Sequence, residues 1–88
     1  MHLPMSVIRF TPRWKEELVA ESAEGTLVFE LTMGEAQLCF PSESLWQQEV
    51  PEWARTKWET YLEQCRDWCS RNQVPLSVVD NTFVYQQQ

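Results

Sequence analysis

Apolar residues recur every three or four positions between Pro51 and Gln73. With successive residues roughly 100° apart, Ala54, Trp58, Tyr61, Leu62, Cys65, Trp68 and Cys69 fall inside a sector roughly 120° wide. Arg55, Glu59, Glu63, Arg66 and Ser70 fall on the other side. This spacing predicts a single amphipathic helix over 51–73, about 35 Å long. Its indoles and two thiols would face a core and its carboxylates water. Pro51 suits the first helical position and Glu52 complements the positive end. The helix should stop near Asn72 or Gln73, ahead of Val74-Pro75.

The first forty residues follow a different period. Leu27, Phe29, Leu31 and Met33 alternate with Thr26, Val28, Glu30 and Thr32, and Ala36, Leu38 and Phe40 resume the apolar face after Gly34-Glu35. Upstream, Trp14, Glu16, Leu18 and Ala20 alternate with Lys15, Glu17, Val19 and Glu21. Ala23-Glu24-Gly25 supplies the turn between these runs, with Gly25 able to take a positive φ. Met5 to Phe10 reads as a further strand ending before Pro12. Ser42 is placed to cap a short helical turn through Gln48. Leu76 to Val79 and Thr82 to Tyr85 read as short strands.

Together these patterns predict an α+β fold. An antiparallel sheet of three to five strands, made of an N-terminal meander plus a C-terminal strand, is packed on one face by a single long helix. One domain over 1–88 is expected, with 1–4 and 86–88 as loose ends.

Composition narrows what such a domain does. Thirteen acidic against seven basic residues give a formal charge of −6. That balance opposes binding to nucleic-acid phosphates or anionic membrane surfaces and favours a basic partner. No apolar run reaches the ~20 residues of a membrane span. The N-terminus has no basic start followed by an apolar stretch, so no secretory signal is expected. Three cysteines, an odd number, suit a reducing compartment and a cytoplasmic location.

Candidate chemistry is sparse. Cys65 and Cys69 stand one helical turn apart inside the apolar stripe, which favours packed free thiols over a disulfide, zinc or redox centre. Zinc would need further ligands, and only Cys39 and His2 are of the usual kind. His2 is the sole histidine, no glycine-rich phosphate loop is present, and pairs such as Glu59–Glu63 lie on the wet face. No catalytic set, metal or cofactor is expected.

The remaining features suggest a binding surface. Trp53 lies about 120° from the stripe's centre on a helical wheel, and Trp46 precedes it in an irregular segment. Both either fold over the helix start or stand exposed as anchors for a partner. Val19 and Val28 would lie on the sheet face away from the helix, rimmed by acids. The sequence thus predicts a small acidic protein-interaction domain, of inhibitor, immunity or adaptor type. Glu52, Glu59 and Glu63 would steer a basic protein, with Trp46 and Trp53, or Val19 and Val28, as the desolvated centre. A homodimer through the sheet's open face or a free strand edge is a further option. The alternatives are a small ligand or minor enzyme site in an aromatic pocket between helix and sheet, and a Cys-based metal or redox role.

Overall fold

The computed structural model describes residues 7–14, 16–32 and 34–87. Strands β1 (Arg9–Arg13), β2 (Glu17–Glu21), β3 (Thr26–Thr32) and β4 (Gln37–Pro41) form the expected antiparallel meander. Alternation sends Leu18, Ala20, Leu27, Phe29, Leu31, Leu38 and Phe40 to one side, where all are buried. Met33 lies outside the described residues.

The first strand is displaced from its expected place. β1 includes Pro12, opposite Leu18. A proline is tolerated there because β1 is an edge strand, where one missing N–H breaks no ladder. Trp14 is consequently part of no strand: it turns the chain with φ 57°.

Ser42 caps α1 (Glu43–Glu49), its hydroxyl accepting from Leu45 N at 3.3 Å. The expected long helix is divided. Pro51 is extended, with φ −66° and ψ 163°, and it caps a 3-10 helix over Glu52–Lys57 before α2 begins at Trp58–Arg71. Ala54 N donates to Pro51 O at 2.9 Å, the tighter i to i+3 pattern. Within α2 the apolar stripe holds: Tyr61, Cys65 and Cys69 are buried, while Glu59, Glu63, Arg66 and Ser70 are exposed. Asn72 follows the helix and Gln73, at φ 59°, reverses the chain.

Among the described residues the sheet is mixed and has six strands, not three to five antiparallel ones. β5 (Leu76–Val79) runs parallel to β4, because α1, the 3-10 helix and α2 form the crossover that a parallel neighbour requires. β6 (Val84–Gln86) pairs antiparallel with β3 at residues 27–29, end to end with β4, which takes residues 30–32. The expected loose end at 86–88 is fixed as far as Gln87, whose N–H donates to Thr26 O at 2.9 Å. Residues 1–4 and 88 lie outside the described residues.

Aromatic rings fill the space between sheet and helices. Phe29 and Phe40 stack with centroids 5.1 Å apart, Trp46 lies 5.8 Å from Phe40, and Tyr61 lies 5.3 Å from Trp46. Contacts of this geometry add roughly 0.5–1.5 kcal/mol each beyond area burial. Among the described residues no helix is long and apolar enough to cross a membrane.

Candidate functional site

The outer side of α2 carries the expected carboxylates. Glu59 and Glu63, with Trp58, Leu62 and Arg66, line a shallow depression of about 340 Å³. Trp58 is fixed beneath it, its indole N–H donating to Pro41 O at 2.9 Å. Glu52 is exposed on the preceding 3-10 helix. Among the described residues none of these three carboxylates has an ion-pair partner. The pairs present are Arg13–Glu17, Lys57–Glu24 and Arg71–Asp67.

The expected desolvated centres are elsewhere. Trp46 is fully buried: its ring joins the aromatic stack and its indole N–H donates to Ala54 O at 2.8 Å. It ties α1 to the 3-10 helix and presents no surface to a partner. Trp53 is half-buried, because the 3-10 helix advances about 120° per residue and swings it toward the β2–β3 turn. There a Cβ on Gly25 would meet Trp53 Cζ2 at 2.5 Å, so Gly25 is needed for close approach, and it does not have a positive φ.

Val19 and Val28 are buried too, and they form no open strip. Val28 sits between Val19 on β2 and Tyr85 on β6. The Tyr85 hydroxyl donates to Glu17 Oε2 at 2.5 Å. Arg13 closes the same patch, donating to Glu17 at 3.0 Å and to Gln87 Oε1. A tyrosine and its polar partners thus cover what a second helix layer would otherwise cover. The hydrogen bond from Tyr85, then the Arg13 guanidinium, hold the Glu17 carboxyl below its ordinary value.

Two of the three thiols lie inside. Cys39, Cys65 and Cys69 are free, and the last two are buried. The hydrogen bond with Cys69, then burial, push the Cys65 thiol far up. Cys39 is half-buried on the open face and is raised by burial and by Glu30. Among the described residues no group of three His, Cys, Asp or Glu is placed to hold a metal ion. The aromatic stack occupies the space where a ligand pocket between helix and sheet was an alternative, and neither Tyr61 nor Trp68 lines the α2 depression.

Two surface features escape sequence reasoning. Trp14 is 79% exposed at the β1–β2 turn, the only exposed indole of the five. Simple alternation placed it in a strand beside Leu18. The arginine and lysine flanking it, just after Pro12, were the available hint of a turn. The second feature is a groove of about 410 Å³ between α2 and the β5 edge, lined by Arg66, Cys69, Ser70, Val74, Leu76 and Val78. It adjoins the α2 depression at Arg66. Comparison with protein-family models, curated proteins and solved structures finds no match to this chain.

Proposed function

We propose that the chain is a small acidic protein-interaction domain, of inhibitor, immunity or adaptor type, that acts by binding a basic protein and performs no chemistry of its own. One observation carries this reading: Glu52, Glu59 and Glu63 stand exposed on the outer side of the 3-10 helix and α2 without ion-pair partners among the described residues. Unpaired carboxylates beside the half-buried Trp58 and Leu62 offer steering charge next to an apolar floor. The burial of Cys65 and Cys69 supports a packing role for them.

The test is capture of partners from native lysate by the full chain and by a Glu52→Lys, Glu59→Lys, Glu63→Lys variant. A specific protein is expected on the parent chain, weakening as salt rises and lost from the variant. A capture pattern identical for both proteins would overturn the reading.

A further inference from the structure

Among the described residues three strands, β1, β5 and β6, have a single neighbour in the sheet, and they differ in how they meet solvent. β1 carries Pro12, Arg9 and Arg13, features that discourage pairing with another chain. β5 is Leu76-Ser77-Val78-Val79, with no proline, no charge and, among the described residues, no second neighbour. The short β6 has α1 packed against it. Among the described residues β5 is therefore the sheet's unprotected edge.

Its backbone is correctly turned for use. The carbonyls of Pro75 and Val79 accept from Leu38 N and Ser42 N of the β4 side at 2.9 and 2.8 Å. In a parallel ladder successive residues point to opposite neighbours, so the N–H and C=O of Leu76 and Val78 face outward. The side chains of the same two residues line the α2 groove, and Val78 is 42% exposed. A chain laid along this edge would find hydrogen-bond partners and apolar side-chain contacts at the same positions, the pattern of strand addition beside a helix.

We infer that the β5 edge and the adjoining flank of α2 form a docking groove for an extended, cationic segment of another protein, which adds a strand to the sheet. This docking mode rests on the protein-binding role proposed above and gives the partner a place and a conformation. Charge selects the occupant. Glu59 and Glu63 line the continuation of the groove, Asp80 follows β5, and Glu43 follows Ser42 at the same end. Among the described residues Arg66 is the one cation lining the groove. A second copy of this chain would bring its own 74–81 segment, which holds an aspartate and no cation, to this acidic rim. A basic strand complements it better.

The experiment is amide-resolved NMR of the full chain titrated with three capped hexapeptides: alternating lysine and valine, alternating glutamate and valine, and the lysine–valine peptide N-methylated at every residue, so that neither of its edges can donate. Shifts are expected at the Leu76 and Val78 amides and the Trp58 indole with the first peptide. At least about tenfold weaker binding is expected for the other two, the change that loss of a charge match or of two or so hydrogen bonds produces. Val78→Pro removes one outward N–H while leaving the β4 ladder intact, and Val78→Lys serves should the proline variant unfold. Either should weaken the first peptide at least about tenfold.

Equal binding of all three peptides, shifts away from β5, or no binding would overturn the inference. So would a dimer by light scattering with β5 amides protected, which would make a second copy the occupant. A native partner that the triple Glu→Lys variant loses but both Val78 variants retain would sink this docking mode and leave the protein-binding role standing.

Discussion

Tyr85 reaches across β3 to Glu17. Its phenolic hydroxyl donates to Oε2 at 2.5 Å, and the ring spans the strand at Val28, which is fully buried. One tyrosine from the C-terminal strand thus converts two valines from an open strip into a covered patch. The bond is pH-dependent in both directions. Glu17 is lowered from its ordinary value of 4.5, so its stabilisation is present above that value and lost as pH falls through the depressed folded value. Tyr85 is raised from its ordinary value of 10, so its stabilisation is full below pH 10 and lost as pH rises through the raised one. Tyr85→Phe should therefore lower Tm at neutral pH, with the difference from the parent shrinking in acid and in strong base. In the same variant, NMR titration should move the Glu17 carboxyl upward, with Arg13 still holding part of the depression.

Gly25 is constrained by Trp53. An added methyl would stand 2.5 Å from the indole, so the ring must shift. Gly25→Ala should cost about 1–3 kcal/mol in urea unfolding, the usual range for overpacking. Combining it with Trp53→Leu should give less than the sum of the two losses, because the smaller side chain removes the clash.

Trp46 should show a stability phenotype. Trp46→Ala should cost about 3–5 kcal/mol through the lost stack and the cavity. Trp46→Phe keeps the apolar contact but strands the Ala54 carbonyl, at about 1–3 kcal/mol. Chemical denaturation separates the two variants.

Thiol titration with a disulfide reagent should find Cys65 and Cys69 protected in the native state. All three thiols should react once guanidinium unfolds the chain. Cys39, half-buried and raised by burial and Glu30, should react at an intermediate rate that increases with pH.

Trp14 holds a left-handed backbone conformation with its side chain in water. Trp14→Asn should raise stability by about 0.5–1 kcal/mol, since asparagine adopts that conformation more readily. Differential scanning calorimetry measures the gain.

Local chemistry was legible where one segment could satisfy itself. The period-two runs of 17–21 and 26–32, the Ser42 cap, the inward stripe from Tyr61 to Cys69 and the stop at Asn72 all depend on neighbours a few residues away. Tertiary contacts decided the rest. Pro12 fits a strand only because β1 is at an edge, and β5 runs parallel only because two helices and a 3-10 turn carry the chain back across the sheet. Wheel geometry drew 51–73 as one rod, whereas the extended Pro51 and the 3-10 turn after it rotate Trp53 onto Gly25. Val19, Val28 and Trp46 are removed from the surface by partners far along the chain, Tyr85 and Ala54 among them. Sequence by itself determined which faces are apolar and that the exterior is acidic. Only the packed structure decided which of those faces stay uncovered, because covering them takes residues whose proximity no local pattern encodes.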